Sequence, residues 1–532
     1  MEHQLISEKQ SGFKPGDSCT FQLLSIVHEI YQSFDDNYEV RGVFLDISKA
    51  FDKVWHEGLI FKLKQNGISG KLLILITDFL KNRKQRVVLN GQVSSWADIQ
   101  AGVPQGSILG PLFFLIYIND LSNDLSSDPK MFADDTSLFS VVHNTVDSCN
   151  NLNNDLNKIS DWAYQWKMSF NPDISKQAQE VIFSRKKKKV NHPNILFNNS
   201  PVIQSQSQKH LGMFLDSKLD FSEHFNNTLK KINKTIGLLR KLRYSLPRSA
   251  LVTIYKSFIR PHIDYGDIVY DQAYNDSFHE KLESIQYNAS LAITGAIRGT
   301  SRNKLYQELG LESLQHRRWY RKLTTFYKIV TNQSPPYLFN LIPVHSSHYI
   351  TRSADDIPPL KTKHEFFKNT FFPSSIKEWN ILDVSIRNSD SLALFKKKVL
   401  SFIRPTPNSV FNCHHPEGII LLTRLRLGFS HLREHKFRHN FQDTINPICF
   451  CGQEIETTIH FLLNCPQYAT IRKTFLDKIR IVSSDLIEKS DNVLSNILLF
   501  GDTSLSIESN TFILNSTIEF LVETRRFDEP LF

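Results

Sequence analysis

Hydrophobic and polar positions change their period several times along this chain, and the changes divide it. Residues 1–40 read as loop and then helix, with a turn at Lys14-Pro15-Gly16-Asp17. Residues 41–216 mix short β-branched and aromatic runs with amphipathic stretches, which predicts an α+β region. Within it Val43-Phe44-Leu45-Asp46-Ile47 is strand-like, while 54–63 and 71–80 repeat apolar residues at helical spacing. From Ser222, a good N-cap residue, the period becomes helical, with Leu229, Ile232, Ile236 and Leu239 on one face. Pro247 opens a further predicted helix carrying Leu251, Ile254, Tyr255 and Phe258, and Pro261 is expected to stop it. Residues 276–400 read as helical and basic, with loops at Pro335-Pro336 and Pro358-Pro359. A last region, 401–532, begins near Pro405 and Pro407, and no internal repeat is visible.

Bulk properties narrow this little. A chain of 532 residues is too long for one core and implies three or four domains. With 41% hydrophobic and 22% charged residues it is globular rather than disordered. No apolar run approaches the roughly 18 to 20 residues that span a bilayer, and the first ten lack the apolar centre of a secretory signal, so no membrane partner is expected. Lys plus Arg is 63 against 54 for Asp plus Glu, a net +9 that is compatible with a polyanionic partner without requiring one. The one charge block, Arg185-Lys186-Lys187-Lys188-Lys189, reads either as a nucleic-acid or nuclear-import patch or as a solvated hairpin tip after Val181-Ile182-Phe183. Six cysteines cannot form a disulfide framework at this length, which points to a reducing compartment.

Three carboxylates stand at the ends of short apolar strands. Asp46 follows Val43-Phe44-Leu45, and Asp134 and Asp135 sit between Met131-Phe132-Ala133 and Thr136-Ser137-Leu138-Phe139, a pattern of strand, turn and strand. Singly, each is as well explained by turn or cap chemistry. Together, on neighbouring strands, they could hold two Mg²⁺ ions about 3.5–4 Å apart, which is what joining a 3′-hydroxyl to an α-phosphate requires. Between them lies a Gly/Pro loop, Ala101-Gly102-Val103-Pro104-Gln105-Gly106-Ser107-Ile108-Leu109-Gly110-Pro111, feeding an apolar helix with Ser107 as its cap.

These segments, in this order, resemble reverse transcriptases. Phe44-Leu45-Asp46-Ile47-Ser48-Lys49-Ala50-Phe51-Asp52 is similar to the first catalytic motif, Gly102-Val103-Pro104-Gln105-Gly106-Ser107 to the second, and Phe132-Ala133-Asp134-Asp135 to the aromatic-x-Asp-Asp motif. The flanks Gln10-Ser11-Gly12-Phe13-Lys14-Pro15-Gly16 and Gly110-Pro111-Leu112-Phe113 narrow the resemblance to the non-LTR, LINE-like class. Arg525-Arg526-Phe527-Asp528-Glu529-Pro530-Leu531 resembles the end of a jockey-type element.

The resemblance implies an α+β right-hand polymerase of fingers, palm and thumb, followed by a helical region and a small Cys/His zinc-knuckle region. The domains are expected at 1–40 (partial fingers), 41–216 (palm and fingers), 217–300 (helical thumb), 301–400 (helical connection) and 401–532 (C-terminal region with the knuckle). It also implies roles. Asp46 and Asp134 would bind two catalytic Mg²⁺, Asp135 would support them, and Ile47 would offer its carbonyl. Phe51 would exclude a ribose 2′-hydroxyl, although the same residue reads as a core aromatic. Gln105, Gly106, Lys14 and Lys176 would contact the incoming nucleotide. His210-Leu211-Gly212-Met213 resembles the primer-grip strand, placing Leu211 and Gly212 at the primer. The expected activity is RNA-directed DNA synthesis primed on nicked target DNA, with element RNA, a DNA primer and dNTPs as partners. The expected setting is the nucleus, with a cytoplasmic ribonucleoprotein stage.

Cys449, Cys451, His460 and Cys465 follow the pattern C-x1-C-x8-H-x4-C, a donor set suited to tetrahedral Zn²⁺, with Gly452 turning the chain and residues 456–463 able to form a helix presenting His460. Buried reduced cysteines are the competing account. Arg424, Arg426, Arg433, Lys436, Arg438 and His439, interleaved with Phe429 and Phe437, suggest contacts with RNA or DNA, or else a solvated charged face.

Departures from the family pattern give two further expectations. No endonuclease and no first fingers motif precede Gln10, and Lys14 stands where the family often has Arg, losing the planar fork that grips two phosphate oxygens. The chain therefore reads as an N-terminally truncated copy, whose alternative function is that of an inactive remnant that only binds nucleic acid. No ribonuclease H set is found downstream. An intron-encoded maturase shares the palm motifs but would lack the jockey-like ending and the cysteine cluster.

Overall fold

The computed structural model describes residues 5–528 apart from 189, 272–275, 345–355, 401–412, 414, 483 and 503. Lys189, Pro405, Pro407 and the last three residues of the jockey-like ending thus lie outside the described residues. The chain divides into two compact units, and each is interleaved in sequence: Met1–Asn227, Gly266–Tyr274 and Lys322–Leu392 form the first, and Thr228–Tyr265, Asn275–Arg321 and Ala393–Phe532 the second. This partition departs from the linear order of domains expected above. The first boundary falls at 227, eleven residues later than the expected 216, and the segments taken as thumb and connection are each shared between units.

The first unit is built on a five-stranded sheet. Its strands are β1 (Glu39–Leu45), β2 (Asp128–Phe132), β3 (Asp135–Val142), β4 (Ala178–Phe183) and β5 (Ile203–Gln204), in the order β5-β4-β1-β3-β2. Central β1 is buried along its whole length and pairs antiparallel with both β3 and β4. Burial on both faces explains why its apolar residues Val40, Val43, Phe44 and Leu45 do not alternate with exposed polar ones. Two buried charges lie in it: Glu39 accepts from Ser184 Oγ at 2.6 Å, and Arg41 donates to Glu180 of β4 at 2.6 Å and to the Pro193 carbonyl at 2.9 Å.

Helices α1 (Cys19–Asp35), α2 (His56–Gln65), α3 (Gly70–Leu80), α4 (Leu109–Ile118) and α5 (Thr145–Gln165) accompany the sheet. α1 is capped by Ser18, whose side chain accepts from the Phe21 N–H, and α5 by Asn144, which accepts from Val146 and Asp147. α4 buries Phe113 through Ile118 without a break, as a helix apolar on every side must. Together with Val43, Leu45, Met131, Leu138, Leu152 and Leu156 it forms the core beneath the sheet. Lys62 of α2 passes under the end of α4, donating to the Tyr117 carbonyl (2.5 Å) and to Asp120 (2.6 Å), with its ammonium 3.7 Å from the centre of the Trp166 ring.

Two expectations about the basic block need correction. The basic block does not sit at a hairpin tip, because β4 is followed by a loop and its sheet neighbours are β1 and β5. Arg185 is not solvated either: it donates to the Lys218 carbonyl and lies over Tyr31, Phe34 and Phe366, leaving Lys186, Lys187 and Lys188 exposed. His210-Leu211-Gly212-Met213 joins β6 (Ser207–His210) to β7 (Met213–Asp216) as a hairpin, whose tight turn holds Leu211 at φ 45° and Gly212 at φ 79°.

The second unit is helical among its described residues. Its C-terminal core gathers Leu422, Leu432, Phe461, Leu498, Leu514 and Leu521. Pro261 does not end the helix begun at Arg248. A π-turn over Tyr255–Ile259 follows Arg248–Ile254, and helix resumes at Arg260–Asp264. The wider turn accommodates the missing proline N–H and the bulk of its ring. It also advances the apolar face by one residue, so Ile259 is buried while Phe258 is 64% exposed. Several of the basic residues proposed for nucleic-acid contact are structural. Arg426 is buried against Glu308 and the Leu499 carbonyl, and Arg424 donates to the Gly295 carbonyl. Phe429 is buried, whereas Lys436 pairs with Asp443 and the exposed Arg438 with Glu434 in surface ion pairs.

Candidate functional site

The sheet brings the three carboxylates together at one end. β1 pairs with β3 as far as Leu45 opposite Thr136, so Asp46 leaves β1 where Asp135 enters β3. The β2–β3 hairpin closes with Phe132 opposite Asp135, which makes Ala133-Asp134 the two-residue turn. Ala133 takes a left-handed φ of 54° there, the conformation that primed hairpin turns demand at their first central position.

Electrostatics ties the three groups to one another. Asp134 is held above the ordinary carboxylate range by desolvation and then by the charge on Asp46. Asp135 is pushed up to about 6 by desolvation, then by Asp134 and Asp46, with Lys209 opposing. Carboxylates that raise one another in this way make a place where a cation is favoured, and an all-oxygen, partly open donor set suits a hard divalent ion.

Asn171, which the sequence reading did not single out, completes the first carboxylate's surroundings. Its Nδ2 donates to Asp46 Oδ2 at 2.7 Å, and its backbone N–H donates to the Asp46 carbonyl at 2.9 Å. With the Ser48 N–H donating to the Ser169 carbonyl, Ile47 and Phe170 form a non-hydrogen-bonded antiparallel pair, so the Ile47 carbonyl points away from that neighbour. In the sequence Asn171 stands only five residues before Lys176, in Asn171-Pro172-Asp173.

The Gly/Pro loop is zipped onto the segment after Asp46. Gly102 N–H donates to the Val54 carbonyl (2.8 Å), Val103 N–H to the Phe51 carbonyl (2.9 Å), and His56 Nε2 lies 2.8 Å from the Gly102 carbonyl. A Cβ on Gly102 would fall 2.8 Å from the Asp52 carbonyl oxygen, so only glycine permits this approach. Gln105 Nε2 donates to Asp52 (2.9 Å), and Ser107 Oγ accepts from the Gly110 N–H (2.9 Å) as the expected cap. Phe51 stacks on Phe114 (4.3 Å between centroids) and meets the edge of Phe13, itself 57% exposed.

Residues 1–215 match the reverse transcriptase (RNA-dependent DNA polymerase) family. Over 323 residues the chain is 31% identical to "Probable RNA-directed DNA polymerase from transposon X-element" of Drosophila melanogaster, covering 59% of this chain and 35% of that protein. It is 29% identical over 302 residues to "RNA-directed DNA polymerase from mobile element jockey" of the same organism, covering 55% and 32%. A longer match, 23% identical over 448 residues and 81% of this chain, reaches 41% of "Retrovirus-related Pol polyprotein from type-1 retrotransposable element R1" of Bradysia coprophila. The family match thus covers the region that carries Asp46, Asp134 and Asp135. The chain spans about a third of the length of its X-element and jockey relatives.

Within the matched region two of the expected substrate contacts are engaged elsewhere. Lys176 is exposed and pairs with Asp173 at 3.1 Å, one helical turn away, rather than being drawn to the carboxylates. Lys14 Nζ donates to the Ser7 carbonyl at 3.4 Å. Gly106 is exposed at φ 82°, with nothing within 4 Å of an added Cβ, so its backbone lies open to a ligand.

The second unit carries the Cys/His cluster. Its four candidate ligand atoms, on Cys449, Cys451, His460 and Cys465, all lie within 4.8 Å of one another. Cys449 and Cys465 sulfurs are 3.7 Å apart and Cys451 Sγ is 3.3 Å from His460 Nε2. Two thiolates about 2.3 Å from a tetrahedral ion stand about 3.8 Å apart, so the donor set fits zinc. A one-residue gap between the first two cysteines is workable because Gly452 turns at φ 76° and the Cys449 N–H returns to the Glu454 carbonyl (2.7 Å). His460 begins a π-turn whose end is fastened by Arg472, which donates to the carbonyls of Phe461, Leu462 and Cys465. Its Nδ1 lies 3.1 Å from Glu454, a partner that motif spacing did not reveal.

Proposed function

We propose that this chain carries the RNA-directed DNA polymerase centre of a non-LTR element, copying element RNA from a DNA 3′-hydroxyl. The observation that carries the reading is the gathering of Asp46, Asp134 and Asp135 at one sheet end, where desolvation and mutual repulsion lift Asp134 and Asp135. The sheet with its helices serves as the palm, and the helical segments after it as thumb and connection. Asp46 and Asp134 hold a pair of Mg²⁺ ions and Asp135 supports them. Such a pair, when bound, activates the primer hydroxyl and neutralises the α-phosphate. Asn171 orients Asp46 from behind, leaving the other carboxylate oxygen for an ion. Phe51, backed by Phe114, walls the sugar site against a 2′-hydroxyl. Gln105 and Gly106 lie along the nucleotide and template, with Asp52 holding the amide in place. The turn at Leu211-Gly212 carries the primer contact.

The cysteine cluster holds a structural Zn²⁺ through Cys449, Cys451, His460 and Cys465, supported by the sulfur and nitrogen separations above. The template RNA, target DNA and dNTPs are the partners. The mechanism places the work in the nucleus, and exposed Lys186, Lys187 and Lys188 suit import.

Primer extension on an RNA template with dNTPs and Mg²⁺ tests the reading, comparing the chain with Asp134→Ala. Incorporation that disappears in the variant is expected. A folded, RNA-binding chain that incorporates nothing in either form overturns it.

A further inference from the structure

Residues 9–12 lie along the outer edge of β2 as a short parallel addition to the sheet. Met131 N–H donates to the Lys9 carbonyl (2.9 Å), and Ser11 N–H donates to the Met131 carbonyl (2.8 Å). The Gln10 side chain, 2% exposed, then reaches the hairpin tip. Its Oε1 accepts from the Ala133 N–H (2.8 Å) and the Gly12 N–H (2.7 Å), and its Nε2 faces the Ala133 carbonyl at 3.5 Å. One amide therefore engages both main-chain groups of the residue at left-handed φ that precedes Asp134. A residue other than glycine is strained there and stays only when its surroundings fix it. Gly12 is required by the same packing: a Cβ would fall 2.3 Å from the Ala133 nitrogen and 2.8 Å from the Phe132 carbonyl carbon. Gln22 offers a contrast. It is equally buried and donates to the Met131 carbonyl (2.9 Å), but it holds the strand rather than the turn.

We propose that Gln10 is a positioning residue for the metal-binding hairpin, clamping Ala133 so that Asp134 and Asp135 stand at a fixed place relative to Asp46. The inference rests on the polymerase reading of those carboxylates. It assigns to the first motif of the chain a role distinct from contact with nucleotide.

The test uses the full chain and two readouts, Mn²⁺ binding by electron paramagnetic resonance and primer extension against Mg²⁺ concentration. Gln10→Met keeps the side-chain length and removes its hydrogen bonds. Its Asp134-dependent Mn²⁺ affinity is expected to fall about 10- to 100-fold, the usual cost of losing a partner outside the ligand shell, with the Mg²⁺ half-saturation rising in parallel. Gln10→Glu keeps the acceptor for both N–H groups and is expected to recover most of that affinity. Gln22→Leu should lower the melting temperature and leave metal affinity unchanged. If Gln10→Met does not fold, Gln10→Asn, whose amide falls one methylene short, carries the same comparison. Folded Gln10→Met or Gln10→Asn that binds Mn²⁺ like wild type overturns the proposal, as does Gln22→Leu weakening the metal equally. Wild type that binds Mn²⁺ through Asp134 yet extends no primer overturns the polymerase reading alone, and the Mn²⁺ affinities still decide the role of Gln10. Wild type without Asp134-dependent binding overturns both.

Discussion

The two candidate metal sites are built on opposite plans. At the sheet end, three carboxylates are delivered by a strand terminus and a hairpin, repel one another, and leave room around them. In the cysteine cluster, four soft or borderline donors already stand at tetrahedral separations, Glu454 steadies the histidine, and the ligand set is closed. The first plan keeps coordination positions for a substrate. The second spends every position on protein, which suits an ion that holds a fold together rather than one that does chemistry. Sites of the first kind should therefore be dispensable for stability and indispensable for activity, and sites of the second kind the reverse.

The sharpest way to break that contrast is Asp134→Asn. Loss of a ligand to catalytic ions should reduce incorporation by about 10³-fold or more, roughly 4 kcal/mol of barrier, measured as single-turnover extension. The melting temperature should hold or rise, since one of three mutually repelling charges is gone. A clear fall in melting temperature would make the carboxylates structural and erase the difference between the sites. Cys465→Ser is the mirror experiment. Structural zinc in small metal sites contributes about 10–16 kcal/mol of binding that is also folding energy, so the variant should lose bound zinc by elemental analysis and expose the segment around the cluster to proteolysis. Retained zinc, or an unchanged cleavage pattern, would return these cysteines to the role of ordinary buried thiols. A milder probe is Glu454→Ala. Removing the partner of His460 should weaken zinc about tenfold in chelator competition while leaving the stoichiometry intact. No change would mean that the exposed Glu454 carboxylate merely lies near the ring.

How much of this was legible in the sequence depends on the range of the interaction. Asp46, Asp134 and Asp135 could be found because each ends a strand whose apolar run is visible locally, and the cysteine cluster because its ligands are close in the chain. The partners Asn171, Gln10 and His56 could not be ranked, since their value lies in meeting Asp46, Ala133 and Gly102 across 125, 123 and 46 residues. Helix ends failed for a related reason. Pro261 is a stop signal by local rules, but a π-turn over Tyr255–Ile259 absorbs it, and the resulting one-residue shift buries Ile259 and exposes Phe258. The basic residues near the cluster illustrate the limit of charge as a signal. Arg424 and Arg426 look like surface cations in sequence, yet carbonyls and Glu308 occupy them. Interleaving of the two units is not written in any local pattern, because it is decided by which helices pack together rather than by their order.

The smallest expected effect tests the desolvation and the crowding of the carboxylates together. Asp135 stands at about 6 in the folded chain, above its unfolded value of about 3.9. The folded state therefore holds this proton more tightly than the unfolded state. The stability that the protonated group contributes is fully present below about pH 4 and is lost as pH rises through about 6. Asp134, raised by desolvation and by the charge on Asp46, acts in the same direction. Asp135→Asn removes this titration and leaves a neutral side chain of nearly the same shape. In buffer without divalent ions, the melting temperature of Asp135→Asn minus that of wild type should be near zero at pH 4 and become positive by pH 7. Asp135 is partly open to water, which screens the effect, so the difference should be about 1–4 °C. Adding Mg²⁺ at pH 7 should then raise wild type more than the variant, because only wild type regains a counter-charge for all three groups. A difference that stays flat from pH 4 to 7 would mean that the carboxylates do not feel one another. The sheet end would then be no more a cation site than any pair of turn residues.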